Sequence, residues 1–520
     1  MNKKIKRRSF LKTSSLLSIP VFAGGFPVSA LAKSQLSTIV NGDDDRVLVI
    51  IQLNGGNDGL NTIIPRDQQE NLAVVRENIF IPENQILELT DTVGVHPSLS
   101  GVKEIFDDAK LNIIQSVAYP NQNRSHFRSL DIWNTGANID EFLDTGWVGR
   151  YFDNNVIGYP ENFPNSDCPD PFALTVGSGA SETCQGNAGN YSMVVIDPED
   201  ISSLPTPINN EVAAGCYGNQ LDFLVTSIEQ SNEYGDAIES AFANGNNASS
   251  KYGDDNQLAA KLKTVARLIK GGLQTKIYVV TLGGFDTHAD QVVEGDVTNG
   301  GHAVLLKTLG DAMCAFQDDL KQLGLEERVM GMTYSEFGRR IRSNFSLGTD
   351  HGTAAPLMVF GKCVNPGILG DNPIIDTDAA VNEGVPMQYD FRSIYGSILI
   401  DWFKASEEEV QELFSNDFQY LPILSECTSA VTDTSIDRFE LEAFPNPHSQ
   451  HFTIRFTSGK EWVKISLFDT LGGEVRVITN KNISGGNHII QVKSDGLVAG
   501  AYFVRLQTKS DQKTIRVVKI

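Results

Sequence analysis

The stretch Val47-Leu48-Val49-Ile50-Ile51, entered from Arg46 and left through Gln52 and Leu53, is apolar at every central position rather than at every second one. A strand with one face in water alternates apolar and polar residues, so an unbroken β-branched run marks a strand covered on both faces. Such strands belong to parallel sheets, whose crossover connections lay helices on each side. Gly55-Gly56 breaks the run, and segments 111–117, 276–282, 329–334 and 357–360 have the same character. Helical periods fall between them. The clearest runs from Ala303 to Leu323, where Leu305, Leu306, Leu309, Met313, Phe316, Leu320 and Leu323 recur at three- and four-residue spacing. Leu258 to Ile269 is a second. The expected fold class over residues 46–425 is α/β, a mostly parallel sheet with helices on both faces. From about 154 to 256 the pattern loosens into Gly-, Asn- and Pro-rich stretches with short helical pieces such as Leu221 to Glu229, read as an insertion over the sheet.

Residues Ser425 to Asp437 are rich in Ser and Thr, which places a linker over 426–440. Beyond it the helical period gives way to short alternating runs, Phe452–Phe456, Val463–Phe468, His488–Val492, Ala501–Gln507 and Thr514–Ile520. Strands of that length separated by Gly turns predict a small β-sandwich over 441–520.

At the other end, Lys6-Arg7-Arg8-Ser9-Phe10-Leu11-Lys12 precedes an apolar stretch from Leu16 to Val28 and then Ala30-Leu31-Ala32, a small-x-small cleavage pattern. This resembles a twin-arginine signal peptide, here residues 1–32, followed by an acidic leader over 33–45. The resemblance implies the twin-arginine translocase as a partner and export of an already folded chain by way of the periplasm. No later run approaches the roughly 18 apolar residues of a membrane span, so none is expected in the mature chain.

Charge narrows the partners. The whole chain carries 42 Lys and Arg against 65 Asp and Glu, and without its first 32 residues the balance is 36 against 65, or −29. A field of that sign repels nucleic acid and anionic membrane, while clustered carboxylates suit divalent cations. None of the six cysteines, Cys168, Cys184, Cys216, Cys314, Cys363 and Cys427, sits in a C-x-x-C motif. Cys314 falls on an apolar helical face and reads as core. Cys168 and Cys184 flank a loop and are the pair expected to bridge after export.

Four polar clusters each follow a predicted strand directly, which in a parallel sheet puts them at the carboxyl edge where ligands bind. They are Asn54 to Asn61, Asn121 to Phe127, Gly283 to His288 and Ser335 to Arg340. A fifth, Thr349 to Thr353, precedes its strand. Asp286 and His288 are two apart, so an extended backbone turns both to one face, a workable start for a metal. Asp350 and His351 are adjacent and need an irregular loop to point together. A carboxylate and imidazole donor set suits zinc or manganese better than calcium, which prefers oxygen.

Two resemblances add to this. Phe444-Pro445-Asn446-Pro447, Ile465-Ser466-Leu467-Phe468-Asp469 with Leu471-Gly472, Gly500-Ala501-Tyr502-Phe503-Val504-Arg505-Leu506 and the last strand with Lys519 resemble the C-terminal sorting domain of the type nine secretion system. That implies the type nine machinery as partner and delivery to the cell surface or medium. Further upstream stand Gly55 to Thr62, Val95-His96-Pro97, Arg124-Ser125-His126-Phe127, Thr145 to Arg150, Gly284 to His288, Ser335 to Arg339 and Asp350 to Ala354. In collinear order they resemble domain of unknown function 1501, whose members are placed in the alkaline phosphatase and sulfatase superfamily. The resemblance implies one or two divalent metals at the carboxyl edge. Asp58 or Asn61 would be a ligand on the first loop, with Asp286, His288, Glu336, Asp350 and His351 from the others. Ser125 would be the nucleophile, and Arg124 or Arg339 would hold an anion. Where better-known superfamily members have an Asp-His pair this chain reads Glu336-Phe337, one imidazole fewer, and it has no Cys- or Ser-x-Pro-x-Arg motif for formylglycine chemistry. Two functions remain: a metal-dependent hydrolase of phosphate or sulfate esters, or a surface binding or scaffold protein that keeps the fold and engages an anionic ester, a polysaccharide or a protein.

Overall fold

The computed structural model describes residues 45–156, 158–160, 162–198, 216–414 and 418–425, short strands at 22–23 and 26–27, and most of 441–519 apart from several turns. The twin-arginine motif, the cleavage pattern, the linker, Cys427, Pro445, Pro447 and Leu471-Gly472 lie outside the described residues. The chain divides into two compact units, Met1–Thr428 and Ser429–Ile520.

The larger unit is built on a nine-stranded sheet. Its strands are β1 (Val47–Asn54), β2 (Leu111–Ala118), β3 (Ala173–Val176), β4 (Ser192–Val195), β5 (Ile277–Gly283), β6 (Val329–Ser335), β7 (Ala355–Phe360), β8 (Gly367–Leu369) and β9 (Tyr389–Asp390). The order across the sheet is β8-β2-β7-β6-β1-β5-β3-β4, with β9 also on β2. All neighbours are parallel except β7, which runs against both β6 and β2. The fifth polar cluster precedes its strand for that reason: β7 begins at the edge where the others end.

Because successive side chains of a strand point to opposite faces, β1 feeds two cores. Val47, Val49 and Ile51 pack with α1 (Ser100–Asp107), α3 (Gln257–Lys270) and α4 (Gly301–Leu323). Leu48 and Ile50 pack on the other side with α2 (His126–Thr135) and α5 (Phe391–Phe403). Each side chain so buried contributes about 1.5–3 kcal/mol, which is why the run tolerates no polar residue before Gln52. The second core is aromatic: Trp133 stacks on Tyr334 and Phe391, and Trp147 on Tyr395.

The stretch read as an insertion instead contributes β3 and β4 to the sheet, and its short helical piece is part of a helix spanning Cys216–Asn244. Four-residue strands carry too few side chains to show a period. The expected Cys168–Cys184 bridge is not formed. Both side chains are buried thiols, and burial pushes the Cys184 thiol up to about 12. Cys363 is the described cysteine that is disulfide-bonded. Among the described residues no helix is long and apolar enough to cross a membrane.

The smaller unit is a β-sandwich of antiparallel sheets with three and four strands. Phe452, Ile454 and Phe456 of one meet Val463, Ile465, Leu467, Val504 and Leu506 of the other. Two strands, Leu441–Phe444 and Glu474–Asn482, are additional to those expected. Glu474–Asn482 lies at a sheet edge with no buried residue, and the alternation that opens it, Glu474-Val475-Arg476-Val477, gives way to the polar run Thr479 to Asn482.

Candidate metal centre

The ends of β1, β2, β5 and β6 and the start of β7 bring five loops to one edge. Close approach of the first and third depends on Gly55, whose φ is +127° and where a Cβ would stand 2.4 Å from the Asp286 nitrogen. With no side chain there, Asn54 O accepts from Phe285 N at 3.1 Å. Arg339 ties the same loops together from within. Its guanidinium is fully buried and donates to the carbonyls of Gly55, Gly56, Phe285 and Thr349 and to Asp286 Oδ1.

Around Asp286 stand three imidazoles. Its Oδ1 lies 3.1 Å from His288 Nε2 and 3.1 Å from His351 Nε2, and its Oδ2 lies 3.4 Å from His126 Nε2. Each ring is held from behind through Nδ1. His126 Nδ1 meets the buried Glu336 Oε1 at 2.7 Å, His288 Nδ1 meets Asp350 Oδ1 at 3.0 Å, and His351 Nδ1 meets the Arg124 carbonyl at 2.9 Å. A carboxylate or carbonyl can only accept, so all three Nδ1 atoms donate and all three Nε2 atoms face Asp286. Asp286 Oδ1 is also only an acceptor, so an Nε2 atom against it, as in His351, carries a proton unless a cation takes that proton's place. His288 and His351 bring their Nε2 atoms to 2.9 Å of each other. Two lone pairs that close repel unless a proton or a cation lies against them. His126 Nε2 is buried and makes no hydrogen bond among the described residues, the condition of a polar atom whose partner is not a protein group. His126, Asp286 and His351 can offer donor atoms all within 4.8 Å of one another, and His288 adjoins two of them.

Electrostatics favour the charged carboxylate. Burial works against ionisation of Asp286, yet the hydrogen bonds from Arg339 and His351 prevail and hold it at about 2. Asp350 is likewise lowered, against its burial, by His288 and Asn344. His351 is lowered by burial, with Asp286 and the Arg124 carbonyl opposing.

The other expected site residues fall into different places. Glu336 and Asp350 stand behind the imidazoles of His126 and His288 and orient them. Asp58 and Asn61 are outside the cluster: Asp58 is fully buried, with both oxygens on Arg76 Nη1 at 2.9 and 2.7 Å and one accepting from Gln291, while Asn61 Oδ1 accepts from the same Arg76 nitrogen. Arg339, its donors spent on five acceptors, positions Asp286 and has little to offer an external anion. Ser125 is exposed at the N-cap of α2 and makes no capping bond through its side chain. Arg124 is half-buried and forms no ion pair among the described residues. Its Nη1 donates to Asn382 O at 2.6 Å, and burial, then the nearby Arg340 charge, push its pKa down. His126 is the residue that sequence reasoning passed over. Its signal was the strand end followed by Arg124-Ser125-His126, in which the serine drew the attention.

Residues 227–401 match the family described as protein of unknown function DUF1501, and residues 442–520 match the secretion system C-terminal sorting domain. The chain carries a DUF1501 domain and a sorting tail. The tail marks an exported protein, delivered to the cell surface or released, and a client of the type nine secretion machinery. The matched DUF1501 segment contains β5, β6 and β7, hence Asp286, His288 and His351, while His126 lies ahead of it. No curated protein matches the sequence. Among solved structures the chain is similar to PorZ, a surface component of the type-IX secretion system of Porphyromonas gingivalis, at 18% identity and TM-score 0.13 over 19% of this chain. It spans 13% of the length of that protein. A Bacteroides thetaiotaomicron structure from work on glycosaminoglycan metabolism is similar at 9% identity and TM-score 0.34, over 91% of this chain and 89% of that one. A protein in the alkaline phosphatase superfamily from Vibrio parahaemolyticus is similar at 10% identity and TM-score 0.30, over 86% and 84%. Likenesses of this size assign no chemistry.

Proposed function

We propose that the protein is an exported hydrolase of phosphate or sulfate esters whose centre, His126, Asp286, His288 and His351, holds a divalent transition metal, zinc before manganese. The observation that carries this reading is the arrangement of the three imidazoles, each with Nδ1 committed to an acceptor and Nε2 turned toward Asp286. Nitrogen donors with one carboxylate match zinc and manganese, and calcium would want more oxygen. A bound ion of this kind supplies Lewis acidity and makes a hydroxyl nucleophilic near neutral pH.

The chain's own groups then divide the remaining work. Ser125, next to His126 at the start of a ten-residue helix, has its hydroxyl where the partial positive charge of the helix N-terminus favours an anionic oxygen. Arg124, which has no acidic partner among the described residues of so acidic a chain, is the cation for the ester's anionic group. Glu336, Asp350 and the Arg124 carbonyl fix ring orientation, so the donor set needs little rearrangement on loading. Export is proposed to start through the twin-arginine translocase, with the folded chain crossing the periplasm to the type nine machinery.

One observation favours a second reading, a non-catalytic surface binding or scaffold protein: zinc sites with four protein donors are commonly structural, whereas catalytic ones leave a position open. Both readings meet the same experiment. Elemental analysis of protein purified without chelator should find close to one transition metal per chain, lost in His126→Ala and His351→Ala. The wild type should turn over 4-nitrophenyl phosphate or sulfate and Ser125→Ala should not. Metal without turnover selects the binding protein. A wild type with neither metal nor turnover removes the proposal.

A further inference from the structure

The segment that follows β2 does two things at once. From its backbone and side chains it reaches the metal centre: the Arg124 carbonyl accepts from His351, and Gln122 Nε2 donates to the Glu336 carbonyl at 2.8 Å. With its outer side it forms one wall of a groove of about 550 Å³, whose opposite wall is the segment 380–387. That volume lies within the roughly 300–1,000 Å³ of small-molecule sites. Arg124 lines the groove and is shared with the centre.

The groove's chemistry is mixed in a particular way. Asn121, Gln122 and Asn382 bring side-chain amides, each able to donate and accept. Gln122 Oε1, buried at the base of this wall, has no hydrogen-bond partner among the described residues. Pro120, Pro386 and Met387 bring apolar surface between them. A lipid chain would leave the amides unpaired, and a group carrying a second negative charge would meet Glu383 on the same wall. A polyhydroxylated ring satisfies both parts, with hydroxyls on the amides and C–H faces on Pro and Met.

We propose that this groove receives the alcohol part of the ester, and that this part is a sugar ring, with Arg124 at the junction contacting the phosphate or sulfate. The proposal rests on the ester reading of the metal centre and extends it to the substrate class. It also assigns specificity to Asn121 and Met387, which touch none of the metal-binding side chains.

The test is calorimetric titration of zinc-loaded, full-length mature protein with glucose 6-phosphate, glucose 6-sulfate, inorganic phosphate, inorganic sulfate and glucose. At least one sugar ester should bind tenfold or more tightly than its inorganic anion and than glucose; the phosphate and sulfate arms say which anion the junction takes. Met387→Trp, which fills the groove, and Asn121→Gly, which removes the amide where φ is +56° and glycine is unstrained, should erase that advantage. Both should leave inorganic anion affinity and melting temperature unchanged. Equal affinity for sugar ester and inorganic anion overturns the proposal, as does a tenfold advantage that survives in both variants. Selective binding lost in the variants but without turnover of any ester by the wild type upholds the groove and removes the hydrolase.

Discussion

Replacing Arg339 by Lys keeps the charge and removes the fork. The guanidinium serves five acceptors on three loops, four of them backbone carbonyls, from a fully buried position. An ammonium has three donors radiating from one atom, so at least two of these acceptors lose their partner. A buried acceptor left unsatisfied costs about 1–3 kcal/mol. The expected loss is therefore about 2–6 kcal/mol, a large share of the roughly 5–15 kcal/mol that holds a domain folded. Urea unfolding in the presence of chelator measures it, read through the fluorescence of the buried Trp133, Trp147 and Trp402. Chelation matters because bound metal would add stability of its own to the wild type. Lys should also lower zinc affinity at least tenfold in competition with a chromophoric chelator, since Asp286 loses the anchor that orients it. If Arg339→Lys unfolds within about 1 kcal/mol of the wild type and holds zinc as tightly, the clamp argument is refuted.

Acid should loosen the larger unit independently of metal. Burial lowers His302 to about 4 from an ordinary value of 6.5, so between those values the unfolded chain binds a proton that the folded chain refuses. Stability is complete above 6.5 and falls as pH drops toward 4, by about 2 kcal/mol at pH 5 and about 3 kcal/mol in full. Chelated His302→Gln should show a correspondingly smaller difference between pH 7.5 and pH 5, and an unaltered difference would contradict the assignment. Glu336→Gln should keep the His126 contact through its amide oxygen while removing the negative charge behind the ring, weakening zinc binding about 10- to 100-fold with a normal melting temperature in chelator; unchanged affinity would mean that Glu336 does not support the centre. Deleting residues 441–520 should leave a folded larger unit that fails to reach the surface, and surface protease accessibility of the truncated chain would show that the tail is dispensable. Changing Arg7 and Arg8 together to Lys should trap precursor in the cytoplasm, with normal export of the double variant counting against the twin-arginine route.

Much of the sheet was legible because burial on both faces forbids polar residues, which makes strands such as Val47–Asn54 and Val329–Ser335 visible without any partner in view. The five loops were legible for a related reason: polar side chains collect where such strands stop. Which of those side chains meet was not. Asp58 stands on the loop after β1 and looks like a ligand, but its charge is answered by Arg76, which caps the C-terminal end of the short helix Gln69–Val75 and whose position only the tertiary fold reveals. Glu336 and Asp350 face imidazoles rather than the centre because Nδ1 lies on the far side of each ring, a distinction that residue type cannot express. His126 was hidden by its neighbour: at the first position of α2 its Nδ1 meets the buried Glu336, whereas Ser125 remains exposed.

The reversed direction of β7 has a consequence for how such a centre can change. A strand parallel to β6 would require its connection to travel the length of the sheet and return by the far edge. Here the chain leaves Ser335 and re-enters at Ala355 on the same side, so everything between is rim. Glu336, Arg339, Asp350 and His351 therefore sit on one uninterrupted cassette, anchored at both ends by strands that do not depend on its interior. Its tip, Ser343 to Leu347, is tied back to the neighbouring loops, with Asn344 donating to His288 O and Asp350 Oδ1 and the Ser346 and Leu347 carbonyls accepting from Asp290 and Gln291. Exchanging that single cassette between homologous chains would transplant two of the three orienting groups, Glu336 and Asp350, with the clamp and one imidazole, leaving His126, Asp286, His288 and the Arg124 carbonyl as the fixed half of the site.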